Sequence, residues 1–157
     1  MPVTRETIRN DYPLPLYNYR VEIGGEAVAF TEVSGLNIGY ETSTYKESQT
    51  ANGVPGPRVM IVPGQKQPTK LTLKKGIVRA ASVAHLFNWI RTIQINQVEK
   101  KDVFIRLCDE KGEAVISWKI SNAFPTKLDA PTFDAKSNDA AIETMELVAD
   151  GVAIEES

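Results

Sequence analysis

The chain has 157 residues, the size of one ordinary domain, and its 42% hydrophobic content is enough to bury a core. The net charge is −2; a single cysteine (Cys108) excludes an internal disulfide and any multi-cysteine metal site, and with a single histidine (His85) it points away from an enzyme. No apolar run approaches the roughly 18–20 residues of a membrane span, and the polar start with Arg5, Glu6, Arg9 and Asp11 does not read as a secretory signal.

Residues 1–16 read as an extended arm, polar at first and then held open by Tyr12-Pro13-Leu14-Pro15-Leu16. The alternation Tyr17, Tyr19, Val21, Ile23 predicts a half-buried strand. Gly24-Gly25 turns the chain, and Ala27–Val33 returns as the second arm of a hairpin. After a break at Ser34-Gly35, residues 38–46 predict another strand. Residues 47–68 are dense in turn formers (Gly53, Pro55, Gly56, Pro57, Pro63, Gly64, Pro68) and predict a long loop. Inside it lies the apolar patch Val59-Met60-Ile61-Val62, which needs something to dock against.

Leu71, Leu73 and Ile77 resume strand character. A helix is expected over 82–97, capped by Ser82, with Val83, Leu86, Phe87, Ile90 and Ile93 on one apolar stripe and Trp89 beside it. Val103, Ile105 and Leu107 mark a strand, Asp109–Gly112 a turn, and Ala114, Ile116, Trp118 and Ile120 the returning strand. Asn122-Ala123-Phe124-Pro125 is expected to end it; a short extended piece over 126–133 and a last strand over 140–149 follow. The expectation is a single domain, 1–157, that is mainly β. Its seven or eight strands form a two-sheet antiparallel barrel or sandwich with one flanking helix.

Charge is unevenly spread. Residues 48–98 hold seven basic side chains and no acidic one, while 129–157 hold eight acids against Lys136 alone. Two readings follow: a partner surface, or two segments that meet inside one fold. Motifs for chemistry are lacking. Pro63-Gly64-Gln65-Lys66 has neither the spacing of a phosphate loop nor a helix after it. His85 lies beside an apolar stripe, and nothing near Cys108 in sequence would make it a thiolate. No catalytic, cofactor or metal site is expected.

A series of phrases, in order over about residues 12–152, resembles the tail tube proteins of contractile injection systems, the extracellular particles related to phage tails. They begin with Tyr12-Pro13-Leu14-Pro15, Tyr19-Arg20-Val21-Glu22-Ile23, Glu32-Val33-Ser34-Gly35-Leu36 and Tyr45-Lys46. Pro63-Gly64-Gln65, Leu71-Thr72-Leu73-Lys74-Lys75-Gly76 and Leu86-Phe87-Asn88-Trp89-Ile90 continue the series. Ile95-Asn96-Gln97-Val98-Glu99-Lys100-Lys101-Asp102, Trp118, Ser121-Asn122-Ala123-Phe124-Pro125 and Phe133-Asp134-Ala135-Lys136-Ser137-Asn138 complete it.

The resemblance implies the β-barrel fold shared with the Hcp protein of type VI secretion. It implies hexameric rings whose inner sheets join around a lumen and which stack into a tube. The implied partners are the chain itself, a contractile sheath, baseplate and cap proteins, and a lumenal cargo, without direct membrane binding by the subunit. Synthesis in the cytoplasm and release as part of a particle are implied too. Sixteen residues, 47–62, separate Tyr45-Lys46 from Pro63-Gly64-Gln65, more than the family pattern has. The main tube subunit is the favoured role, and a tube-initiating ring at the baseplate, a phage tube conducting DNA and a monomeric ligand-binding β-module are the alternatives. The expected assembly interface comprises Val59, Met60, Ile61, Val62, Lys70, Lys74, Lys75, Asp129, Asp134 and Glu143.

Overall fold

The computed structural model describes residues 2–48, 56–93 and 97–156. Among them are ten strands: β1 (Tyr19–Ile23), β2 (Glu26–Val28), β3 (Glu32–Ser34), β4 (Tyr40–Glu47), β5 (Arg58–Lys66), β6 (Thr69–Gly76), β7 (Lys101–Cys108), β8 (Ala114–Asp129), β9 (Ile142–Ala149) and β10 (Gly151–Glu156). Their pairing runs β2-β1-β7-β8-β9-β6-β3, all antiparallel, and β10 also pairs with β8. Strands β9 and β10 keep one register along β8, Val148 opposite Phe124 and Gly151 opposite Ser121. They act as a single long partner, so the ribbon passes from one sheet into the other. This is the expected two-sheet antiparallel architecture, with the edge strands β2 and β3 left unpaired to each other.

The predicted alternation places the core. Val21, Ile23, Val103, Ile105 and Ile120 from one sheet meet Leu71, Leu73, Met145 and Leu147 from the other, each strand giving every second residue. Strand β8 does not stop at Asn122-Ala123-Phe124-Pro125. Asn122 takes φ 54, a left-handed conformation that asparagine tolerates better than most residues. Its N–H donates to Asp102 Oδ1 at 3.1 Å and its Nδ2 to Asp150 Oδ2 at 2.9 Å. The strand therefore bends and continues, and the register shift between Pro125 and Lys127 accommodates the proline. The extended piece expected over 126–133 is in part the end of this strand.

The N-terminal arm contains a helix, α1 (Arg5–Asp11), rather than being extended throughout. Thr4 caps it, its Oγ1 accepting from the Thr7 N–H at 3.1 Å, with Glu6 in the first turn and Arg9 in the last. It buries no residue, so only the cap and the end charges announce it. Extended chain begins at Tyr12, ahead of Pro13.

The expected helix over 82–97 is shorter and wound differently. A π-helical stretch, Ser82–Phe87, runs into the α-helical turn α2 (Asn88–Ile90), and residues 94–96 lie outside the described residues. Ser82 is not the cap; it sits inside the first turn, its hydroxyl accepting from the Val78 N–H at 3.0 Å. The wider i→i+5 winding rotates the buried face. Leu86 and Trp89 are buried, whereas Val83 and Phe87 are exposed. Trp89 Nε1–H donates to the Glu99 carbonyl at 2.7 Å, just ahead of β7. The segment thereby closes one end of the core, where β1 ends and β7 begins.

The region predicted as a loop, 47–68, contains strand β5, paired with β4 from Glu47↔Arg58 down to Tyr40↔Lys66. The run Val59–Val62, β-branched except for Met60, outweighs the nearby prolines and glycines, and Pro63 sits beside a register shift. Residues 49–55 of that loop lie outside the described residues.

At the end of the core away from α2, Tyr19 Oη–H donates to the Phe30 carbonyl at 2.7 Å, tying β1 to the segment before β3. Burial, and secondly the Glu32 carboxylate, push its phenol above the ordinary 10.0. The folded state therefore favours the neutral phenol. Its contribution is complete below pH about 10 and is lost as pH rises through the raised folded value. Tyr19→Phe is expected to cost about 0.5–1.5 kcal/mol at neutral pH. In urea titrations from pH 7 to 11, the gap between parent and variant should narrow only above pH 10; a gap that widens with pH contradicts the assignment.

Candidate assembly interface

His85 and Cys108 stand at opposite ends of the core and form no dyad. His85 Nδ1 lies 3.3 Å from Glu26 at the α2 end. The buried Cys108 closes β7 at the other end, its thiol donating to the Arg106 carbonyl at 3.6 Å. Among the described residues no group of three or more His, Cys, Asp or Glu could hold a metal ion. Nor is any helix among them long and apolar enough to cross a membrane.

What the molecule does present is unpartnered apolar surface. The β4–β5 ribbon forms its own two-stranded sheet, and nearly every residue of it is exposed. Its length follows from eight or nine residues per strand at about 3.3 Å each, so it stands about 25 Å from its base. Cross-strand partners share a face. Tyr45, Met60 and Val62 therefore lie on one face with the Glu47–Arg58 pair, while Thr44, Lys46, Val59 and Ile61 lie on the other. Ile61 is 72% exposed, Val59 52% and Tyr45 51%. A lone two-stranded ribbon is marginal in water, and these apolar side chains are left without a partner within the described residues.

Of the other residues expected at the interface, the structure keeps some at the surface and removes two. Lys70 is exposed on β6. Lys74 is held by Glu32 of β3 at 3.2 Å, and Asp129 by Lys127 at 3.3 Å. Asp134 is exposed, and its carboxylate accepts from the Lys136 N–H within its own turn. Lys75 and Glu143, by contrast, are buried, 5% and 8% exposed, facing each other across β6 and β9 on the core side. They cannot contribute interface surface. Their strand parity explains it: Lys75 follows Leu71 and Leu73 in steps of two, and Glu143 precedes Met145 and Leu147 in the same way. The basic and acidic segments thus meet partly within one fold.

A second apolar surface escaped the sequence reading altogether. At the end of the core away from α2, an open cavity of about 410 Å³ is lined by Leu16, Tyr19, Val33, Leu36, Leu107 and Trp118, among others. A smaller one of about 220 Å³ adjoins it through Leu36 and Trp118 and reaches Ile38 and Ile154. The only available signal was that the alternating stripes of β1, β7 and β8 outrun the single short helix that covers them.

Residues 15–153 match the T4-like virus tail tube protein gp19 family. A chain in the structure of the extracellular contractile injection system PVC, the sheath–tube complex in its extended state, is 41% identical over 99% of this chain and 100% of that one, with a TM-score of 0.88. A chain in the anti-feeding prophage cap structure is 42% identical over 100% of both chains, with a TM-score of 0.83. A chain in the anti-feeding prophage baseplate structure shares the fold at 22% identity over 92% and 96%, with a TM-score of 0.73. None of the curated proteins matches.

The buried charges carry a prediction of their own. Glu143 Oε1 is buried without a hydrogen-bond partner among the described residues. No ion pair joins it to Lys75, whose Nζ donates to the Gly76 carbonyl at 3.4 Å. A buried polar atom left unsatisfied costs about 1–3 kcal/mol, so Glu143→Leu should leave stability unchanged or raise it. A denaturant melt in which this variant loses more than about 1 kcal/mol would show that the carboxylate stabilises the fold.

Proposed function

Because the chain belongs to the T4-like virus tail tube protein gp19 family, we propose that it is the repeating subunit of the inner tube of a contractile injection system. It is a structural tube protein, part of an extracellular particle of this kind. Copies close into hexameric rings, rings stack into a hollow tube, and the surrounding sheath drives that tube outward with its lumenal cargo. Cap and baseplate proteins meet the tube at its two ends. The observation that carries this reading is the full-length likeness to a chain of the PVC sheath–tube complex. The main-tube role is favoured over a tube-initiating ring at the baseplate because the likeness to the baseplate chain is far lower and extends to the fold alone.

The physical features of the subunit support the reading. Unpaired edges at β2, β3 and β10 are a hazard in a monomer and a means of closure in a ring. The β4–β5 ribbon, with Val59–Val62 and the nearby Lys70 and Lys74, supplies the stacking contact. Asp129 and Asp134 offer acidic surface to a neighbour. Burial against a neighbouring copy stabilises each apolar side chain by about 1.5–3 kcal/mol, against about 1–2 kcal/mol of ordering entropy per residue. The balance therefore turns favourable only when a second wall is present.

Deleting residues 48–60 leaves Thr44 opposite Ile61 across the short loop Tyr45-Lys46-Glu47. The variant should keep its circular dichroism spectrum yet fail to stack into tubes by negative-stain microscopy. Lys70→Glu with Lys74→Glu should slow tube growth, and so should high salt. Stacking by the deletion variant as efficient as the parent's would remove the ribbon from the interface. His85→Ala and Cys108→Ser should leave assembly and delivery intact, with a modest loss of stability at most. Lost delivery by well-formed particles would reveal chemistry in one of these side chains.

A further inference from the structure

The outward face of the sheet made by β1, β7, β8 and β10 carries an excess of positive charge held in a fixed geometry. Register puts Arg20, Arg106, Ser117 and Glu155 in one row across it, and Glu22, Phe104, Lys119 and Ala153 in the next. Arg20 and Arg106 are therefore directly opposite on neighbouring strands, an apposition of like charges that weakens a sheet. Glu22 is their shared counter-charge. Its Oε1 lies 3.2 Å from Arg20 Nε, and its Oε2 accepts from Arg106 Nε at 3.1 Å.

Arg106 is fixed further. Its Nη1 donates to Ser117 Oγ at 3.2 Å, and its guanidinium carbon lies 4.6 Å from the centroid of the Phe104 ring. Lys119 Nζ lies 5.9 Å from the same centroid. Ser117 is 1% exposed although it points away from the core, so the side chains over it are tightly packed. Three cations thus surround one carboxylate, in a chain whose net charge is −2. Among the described residues Lys119 forms no ion pair, the Nη donors of Arg20 have no partner, and Glu155, at the β10 side of the row, is unpaired.

Guanidiniums held side by side present donor pairs that match a carboxylate or a phosphate. A nucleic-acid backbone is the poorer match. Glu22 and Glu155 interrupt the positive surface, and Phe104 is half-buried beneath Arg106 and Lys119, with no ring face for a base to stack on. Regularly spaced carboxylates suit the face. Alternate side chains of an extended segment are about 6.6 Å apart, the same step that separates the Arg20–Arg106 row from the Lys119 row.

We propose that this sheet face is a docking surface for an acidic polypeptide segment in extended form. One carboxylate meets Arg20 beside Arg106, the carboxylate two residues on meets Lys119, and the small, exposed Ala153 leaves room beside it. The surface is distinct from the sheet edges and from the β4–β5 ribbon, and its chemistry is independent of the tube reading.

The test is fluorescence anisotropy of a labelled peptide of alternating Glu and Ser, titrated with the full-length protein at low salt. Saturable binding is expected, weakening as salt rises. Arg20→Gln with Lys119→Gln should weaken it about tenfold. Lys127→Gln with Lys136→Gln, which removes the same charge elsewhere, should change it less than about twofold. Arg20→Lys, which keeps the charge and loses the fork, should give part of the tenfold loss. No saturable binding by the parent, or equal losses in the two double variants, overturns the proposal. So does tighter binding of a single-stranded oligodeoxynucleotide of equal charge. If the first double variant loses its circular dichroism spectrum, Lys119→Gln alone is compared with Lys136→Gln, and equal binding by these two overturns the proposal in the same way.

Discussion

The architecture depends on one bent ribbon. Strand β8 and its partner β9–β10 run antiparallel, in one register from Ile116 to Pro125 and shifted by one residue beyond it, and the other strands of the two sheets hang from them. Strands β7, β1 and β2 attach to the first half of β8, while β6 and β3 attach through β9. Two sheets that share a ribbon must fold over each other where that ribbon bends. The bend is fixed chemically by Asn122, which accepts a left-handed backbone and binds Asp102 of β7 and Asp150 at the β9–β10 junction. Ala123, fully buried beside it, belongs to the same core cluster as Leu86 and Trp89 of the helical segment. A larger residue there would meet a core already filled from both sides.

This arrangement explains which elements were legible in the sequence. A half-buried strand writes its burial as alternation, so β1, β6, β7 and the first half of β8 could be read from Val21, Leu73, Ile105 and Ile120. The bend could not. Asparagine and proline carry the same local signal whether a strand stops or turns a corner, and only the partner strand decides. The β4–β5 ribbon was hidden for a related reason: Pro55, Pro57 and Pro63 suggest a loop, whereas the pairing of Val59–Val62 with β4 is non-local. The helical segment misled through its period, since a 3.6-residue stripe assigns Val83 and Phe87 to the core and a π-helical winding does not.

Among the residues expected at the interface, the apolar patch Val59–Val62 stood out as four successive apolar residues flanked by turn formers, and the structure leaves Val59, Ile61 and Val62 exposed. The fate of Lys75 and Glu143 was legible in principle. Their parity matches Leu73 and Met145, and charge alone suggested a surface position that the strand period denies. The open end of the core was not legible. Its lining comes from four separate stretches around Tyr19, Leu36, Leu107 and Trp118, and nothing local in any of them marks an end that no helix covers.

The two unfinished surfaces make sense of each other energetically. Closing the far end with a second helix would produce a better monomer, and pairing the ribbon within the chain would do the same. Either change would remove the reason to associate. Leaving apolar side chains unburied lowers the stability of the free subunit, and that deficit is recovered only on binding, so stability becomes linked to concentration. Two surfaces of different shape permit a head-to-tail contact, in which each copy engages different neighbours with its two halves. A chain built this way leaves apolar surface uncovered until it becomes one member of a repeating series.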